Sequence, residues 1–156
     1  MLDLVRFSAP ADFGEPKAGE SPLSIIDVRS LSPSLFSSVP DVERARIMAK
    51  RAKLIHMQIW PTDVGLARLF KEQGAVMVVG VSDFLPLPPG EMARRLARTA
   101  HMIEMVRHFG GKVRLASMAR NEMELRNPLE LACIGERLGL DAGVVLAALQ
   151  APLHES

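Results

Sequence analysis

Two predicted strands of this chain end in charged residues that could do chemistry. Asp83 follows the apolar stretch 75–81, and Arg120 follows the stretch 112–116. Because function gathers at the carboxyl ends of parallel strands, we expect both side chains to face the same end of a sheet. A carboxylate and a guanidinium there would suit an α/β enzyme or a small-molecule-binding protein. The alternative is structural: Asp83 caps a turn, and Arg120 pairs with Asp83 or Glu124.

Basic side chains form two clusters that could bind phosphate. One lies on a predicted helix and the other at a turn between a helix and a strand. The candidate residues are Lys50, Arg51, Lys53, Arg94, Arg95 and Arg98. Arginine (14) outnumbers lysine (5), and guanidinium groups match phosphate well. The pattern favours contacts with an RNA backbone, although solvated helix faces explain it about equally well. With 4% aromatic residues, base stacking is not indicated.

Other catalytic motifs are missing from the sequence. There is no glycine-rich phosphate loop, no H-E-x-x-H spacing and no G-x-S-x-G elbow. Cys133 lies among apolar residues of a predicted helix, so we expect a buried small side chain rather than a reactive thiol. We likewise expect the methionines of the second half to fill the core; they are Met102, Met105, Met118 and Met123.

Length and composition indicate one globular domain over residues 1–156. The chain is 48% hydrophobic and 24% charged, with a formal net charge of +1. One cysteine fits a reducing compartment, and no apolar run is long enough to cross a bilayer. We therefore expect a cytoplasmic protein with no membrane association.

Hydrophobic periodicity predicts strands that alternate with helices. The predicted strands are 2–7, 24–29, 54–60, 75–81 and 112–116. The predicted helices are 41–52, 62–73, 91–109, 128–138 and 141–150, with a loop at 9–20. The order β β α β α β α β α α indicates a mainly parallel sheet. A complete eightfold barrel needs about 250 residues, so we expect a shortened TIM-barrel-like α/β fold. Residues 1–40 form a divergent N-terminal part, and 41–150 form the regular part.

The second half of the chain resembles one family. Ser117-Met118-Ala119-Arg120-Asn121, then Leu125-Arg126-Asn127-Pro128-Leu129-Glu130-Leu131, then Leu138-Gly139-Leu140 resemble the barrel-fold protein subunit of archaeal and eukaryal ribonuclease P, protein component three. Asp63-Val64-Gly65-Leu66 and Ser82-Asp83-Phe84-Leu85 resemble it more weakly upstream. Asn127 replaces the family's serine and can still cap a helix, whereas Met118 replaces a small residue. The motif residues are Asp63, Asp83, Ser117, Asn127 and Pro128.

The resemblance implies a non-catalytic subunit of a ribonucleoprotein that removes the 5′ leader of precursor tRNA. In that enzyme the RNA is the catalyst and uses magnesium, and the protein binds no cofactor. The implied partners are ribonuclease P RNA, precursor tRNA in the holoenzyme, and the ferredoxin-like protein component two. The candidate RNA-binding residues are Lys50, Arg51, Lys53, Arg94, Arg95, Arg98, Arg120 and Arg126.

A shortened parallel sheet leaves a backbone edge that must be covered. The two N-terminal strands, a partner protein or a second copy of the chain could cover it. We expect a homodimer or a partner contact along that edge.

Overall fold

The computed structural model describes residues 2–6 and 24–151, which form a four-stranded and a two-stranded parallel sheet with five α-helices. The strands are β1 (Leu2–Val5), β2 (Ser24–Asp27), β3 (Phe36–Val39), β4 (Leu54–Met57), β5 (Val76–Gly80) and β6 (Lys112–Ala116). The helices are α1 (Val42–Ala49), α2 (Val64–Gln73), α3 (Pro89–His108), α4 (Pro128–Arg137) and α5 (Ala142–Gln150). The predicted loop 9–20 lies outside the described residues.

Side-chain caps fix where the helices begin. Helices α1, α2 and α5 each begin after an aspartate: Asp41, Asp63 and Asp141. The side chain of each aspartate accepts a hydrogen bond from the backbone N–H three residues later. Asn127 does the same for α4 and forms a capping box with Glu130, as its capping role predicted. These caps set the register at which each helix packs on the sheet.

The sheet order explains how the edge next to β6 is covered. Strands β3-β4-β5-β6 form one parallel sheet, and β1-β2 form a second parallel pair. The two are joined beyond β6, where the Met118 N–H donates to the Leu4 carbonyl at 2.8 Å and the Arg6 N–H donates to the Ala119 carbonyl at 2.7 Å. The N-terminal strand β1 thus pairs with residues 118–119 at the end of β6 and covers that part of the edge, while the expected homodimer or partner contact stays a prediction.

The alternation of side chains along the strands produces two apolar cores. Ile55 and Met77 belong to the core between the sheet and the helices. Leu54, Val76 and Leu4 belong to a second core, which is formed by residues of both sheets. A second core on the helix-free face is the interior of a barrel-like arrangement. The expected shortened barrel-like α/β fold is therefore confirmed.

Strand β3 was not predicted from the sequence. It reads Phe-Ser-Ser-Val, with Pro33 and Pro40 near its ends and no apolar run. Its pairing with β4, rather than its own composition, holds it in the sheet. The observed order is accordingly β β β α β α β α β α α. The strand predicted over 54–60 ends at Met57, and Ile59 beyond it is 47% exposed.

Two expectations about buried sulfur were wrong. Cys133 is exposed, because α4 turns Leu131, Ala132 and Gly135 toward the core and leaves Cys133 on the opposite face. Met123 is 88% exposed, because it lies in a short 3₁₀ turn with no buried residue. Met102 and Met118 are fully buried, as expected of core methionines.

Candidate functional site

A hydrogen-bonded cluster centred on His56 lies at the carboxyl ends of the strands. His56 Nδ1 lies 2.9 Å from Ser38 Oγ, and His56 Nε2 lies 2.7 Å from Asp83 Oδ2. Arg6 donates from Nη2 to Asp83 Oδ1 at 2.8 Å, and the same Nη2 lies 3.1 Å from His56 Nε2. Three side chains that are remote from one another in sequence thus surround the imidazole of His56.

Each side chain of this His56 cluster is positioned by a different strand. Ser38 and His56 are register partners in β3 and β4. Asp83 lies in the 3₁₀ turn directly after β5, and Arg6 follows β1. Polar residues drawn from the ends of several strands are the usual construction of a site in barrel-like folds.

The hydrogen-bond partners of His56 indicate one tautomer of the neutral imidazole. An ionised Asp83 can only accept, so its contact with His56 calls for a proton on Nε2. Nδ1 is then free to accept from the hydroxyl of Ser38. The resulting chain runs from Ser38 through His56 to Asp83.

The four residues of the His56 cluster differ in their exposure to solvent. His56 and Asp83 are 1% and 2% exposed, whereas the Arg6 side chain is 24% exposed and Ser38 is exposed. The cluster therefore opens to solvent through Ser38 and Arg6, while His56 and Asp83 are buried beneath them.

Gly80 makes room for this arrangement. A Cβ at Gly80 would lie 2.6 Å from Asp83 Oδ2 and 2.9 Å from Met118 Cβ. Met118 itself adopts a left-handed backbone with φ of 48°. The close approach of β5 to the turn after β6 therefore requires a residue without a side chain at position 80.

A second buried polar group joins β1 to β6. Asp3 Oδ1 accepts the N–H groups of Leu4 and Ser117, each at 2.8 Å. Burial raises the pKa of Asp3, although these hydrogen bonds and the charge of Arg114 oppose the rise. Burial likewise lowers the pKa of Arg114, against the attraction of Asp3. Ser117 Oγ accepts the Arg126 N–H at 3.1 Å. This bond connects residues at the end of β6 with the turn before α4, within the stretch 117–140 that carries the family resemblance (the resemblance segment).

The predicted pocket of Asp83 and Arg120 does not form. Asp83 lies at the expected end of the sheet, but its ionic partner is Arg6. Arg120 is exposed, and its backbone N–H donates to Glu124 Oε2 at 3.0 Å. This bond closes the turn after β6, and the Arg120 side chain makes no ion pair with Asp83.

Sequence reasoning missed Ser38, His56 and Arg6 as members of the site. His56 alternates with Ile55 and Met57 along β4, so strand period alone placed it on the other face of the sheet. The alternation along β4 was therefore a usable signal for His56. The contacts of His56 with Ser38 and Arg6 could not be predicted, because β3 was not predicted and Arg6 lies 50 residues away in sequence.

The two predicted basic clusters lie on the helical face of the molecule. Lys50 and Arg51 line a groove of about 510 Å³ between α1 and α2, together with Arg46. Lys53 is exposed beside the start of β4. Asp63, the cap of α2, pairs with Arg46 at 2.9 Å. Burial alone would raise the pKa of Asp63, but the Leu66 N–H and the Arg46 guanidinium outweigh it and lower the pKa.

The α3 cluster lines a second groove. Arg94, Arg95 and Arg98 flank about 280 Å³ together with Ile59 and Glu91. Arg95 pairs with Glu91 at 2.8 Å. Arg94 and Arg98 are exposed and form no ion pair within residues 2–6 and 24–151. These two guanidinium groups are therefore available to an external anion.

Arg126 is placed differently from the other predicted RNA-binding residues. It is half-buried, and its Nη1 donates to the carbonyl of Leu125 at 2.8 Å and to that of Met123 at 3.4 Å. The guanidinium supports the turn before α4, which leaves it fewer N–H groups for a ligand.

No protein-family model matches this chain, and no curated protein matches it. Within the part of the chain that the structure describes, no three histidine, cysteine, aspartate or glutamate side chains group as a metal site. Over the same residues, no helix has both the length and the apolar character needed to cross a membrane.

Proposed function

We propose that this chain is a protein subunit of ribonuclease P that supports RNA-catalysed removal of the 5′ leader from precursor tRNA. The observation that carries the proposal is the helical face formed by α1, α2 and α3. On it, Arg94 and Arg98 are exposed without an ion pair among the described residues, and Lys50 and Arg51 line a second groove. Exposed guanidinium groups at the edges of grooves suit the phosphates of a folded RNA.

The resemblance segment supports the proposal through its local roles. Ser117, Asn127 and Pro128 are the residues that the resemblance singled out. Ser117 anchors the turn through Arg126, Asn127 caps α4, and Pro128 occupies the first turn of that helix.

The proposed assembly also needs a surface for protein component two. Leu129 is 70% exposed in the first turn of α4, and Met123 is 88% exposed in the turn before it. Contiguous exposed apolar patches mark protein contacts, and these two side chains lie six residues apart on neighbouring elements. We propose this turn as the contact with component two, and the cytoplasm as the place where the assembly works.

Reconstitution tests the proposal. The chain is mixed with ribonuclease P RNA, component two and precursor tRNA at low magnesium, and the rate of leader removal is measured. We expect the rate to rise when the chain is added, and we expect no cleavage when the RNA is omitted. An unchanged rate, or cleavage by the polypeptide alone, would contradict the proposal.

A charge-matched pair of variants separates a specific surface from a general effect of charge. Arg94→Ala/Arg98→Ala removes the exposed pair on α3. Arg44→Ala/Arg137→Ala removes the same charge from exposed positions that line neither groove. We expect the first pair to lower the stimulation and the second to leave it near the wild-type value.

A further inference from the structure

The side chains of the His56 cluster are arranged as in a site that activates a serine hydroxyl. Ser38 is exposed, His56 is buried behind it within hydrogen-bond distance, and Asp83 holds the far side of the ring. A nucleophile, a base and a group that orients the base are the three parts of covalent acyl-transfer sites. They meet here at the strand ends, where such sites form in barrel-like folds.

We propose that Ser38 is a nucleophile activated by His56, and that it reacts with small carboxylic esters at the open end of the barrel. Ser38 Oγ would attack the ester carbonyl and form a C–O bond while His56 Nδ1 takes the hydroxyl proton. The leaving alkoxide then takes that proton from Nδ1 as its bond to the carbonyl carbon breaks. Water hydrolyses the acyl-serine by the same transfer, which regenerates Ser38 and releases the acid.

Asp83 and Arg6 give the site its charge balance. Asp83 holds the Nε2–H of His56, so that Nδ1 is the nitrogen that faces Ser38. Arg6 contacts Asp83 through Nη2, and its Nε and Nη1 groups bond to no other described residue. The partly exposed Arg6 guanidinium offsets the negative charge of Asp83 beside the imidazole. The inference uses no residue of the basic grooves and is independent of the proposed ribonucleoprotein role.

The neighbouring serines supply an internal control. Ser32 is also exposed, but its hydroxyl lies 3.0 Å from Ser34 Oγ rather than from a base. A reagent that measures only exposure would label Ser32 and Ser38 alike. A reagent that measures activation would prefer Ser38.

Labelling with a fluorophosphonate, followed by peptide mapping, tests the proposal on the full chain. In this reaction Ser38 Oγ forms a bond to phosphorus, fluoride leaves, and the proton passes to His56 and then to water. We expect Ser38 to be labelled about 100-fold faster than Ser32, within the range that general-base assistance provides. The preference should vanish in urea-unfolded protein, and Ser38→Ala should abolish both the label and the hydrolysis of p-nitrophenyl acetate.

A second variant tests the base. His56→Gln keeps a polar side chain at the position, and circular dichroism shows whether the variant folds. In the folded variant we expect the labelling of Ser38 to fall to the rate of Ser32. If it does not fold, the comparison of folded and unfolded wild-type protein decides. Equal labelling of Ser32 and Ser38 in folded wild-type protein would overturn the proposal, as would full labelling of Ser38 in folded His56→Gln.

Discussion

Arg6 donates a 2.8 Å hydrogen bond to Asp83, which lies 77 residues later in the chain. This bond joins the end of β1 to the turn after β5, two strands that are not neighbours in the sheet. The pair is largely dry on the carboxylate side, since Asp83 is 2% exposed and Arg6 is 24% exposed. The interaction therefore acts across the mouth of the barrel rather than along one sheet.

Removal of the Asp83 carboxylate should destabilise the fold strongly. Asp83→Ala leaves Arg6 and the buried His56 without their shared acceptor, and breaking one side of a buried pair costs about 3 kcal/mol or more. The measurement is the free energy of unfolding in urea. As a control, Glu91→Gln breaks the more exposed pair with Arg95 on α3, and we expect a loss of about 0.5 kcal/mol or less. An equal loss of unfolding free energy in the two variants would show that the buried Asp83 pair contributes no more to stability than the exposed Glu91 pair.

Two glycine substitutions should have opposite signs. Gly80→Ala places a methyl group 2.6 Å from Asp83 Oδ2, so we expect a loss of about 1–3 kcal/mol from overpacking. Gly90→Ala lies in the first turn of α3 with nothing within 4 Å of the new atom, so we expect a gain of about 0.4–1 kcal/mol. Thermal unfolding of both variants against the wild type tests the pair. A neutral Gly80→Ala would contradict the tight packing at that position.

Asp3 should make stability depend on pH in the acid range. Its pKa is raised in the folded protein, so the folded state holds the proton more tightly than the unfolded state. This contribution is fully present below the ordinary aspartate pKa of about 3.9, and it is lost as the pH rises through the higher folded value. Asp3→Asn cannot titrate. We therefore expect the free energy of unfolding of the wild type, minus that of the variant, to fall as the pH rises through this window. A difference that is constant with pH would argue against the raised pKa.

The salt dependence of RNA affinity should report the α3 groove. Each phosphate contact adds about 0.7–0.9 to the slope of log affinity against log salt concentration. If Arg94 and Arg98 each contact one phosphate, Arg94→Ala/Arg98→Ala should lower that slope by about 1.4–1.8. The affinity for ribonuclease P RNA is measured over a series of salt concentrations. A slope that matches the wild type would place the RNA elsewhere on the protein.

Periodicity and capping were enough to predict most elements of the fold. The apolar run before Asp83 and the cap at Asn127 are local signals, and the structure has both elements where they were expected. Strand β3 was missed because its stability comes from pairing with β4, which its own four residues do not reveal. Of the four residues in the His56 cluster, only Asp83 was predicted from the sequence to lie in a site. Its other members depend on strand neighbours, and Arg120 was misplaced because a local bond to Glu124 competes with the sheet.

The contact between β1 and the turn after β6 also affects the order in which the chain folds during translation. Asp3 meets Ser117 only after 114 further positions have been synthesised, which takes roughly ten seconds on a ribosome. During that interval β1 can pair with β2 but has no partner after β6, while strands β3, β4 and β5 can already pair in order. The pair β1–β2 thus docks on the larger sheet only after β6 has been made, and its docking brings Arg6 to Asp83.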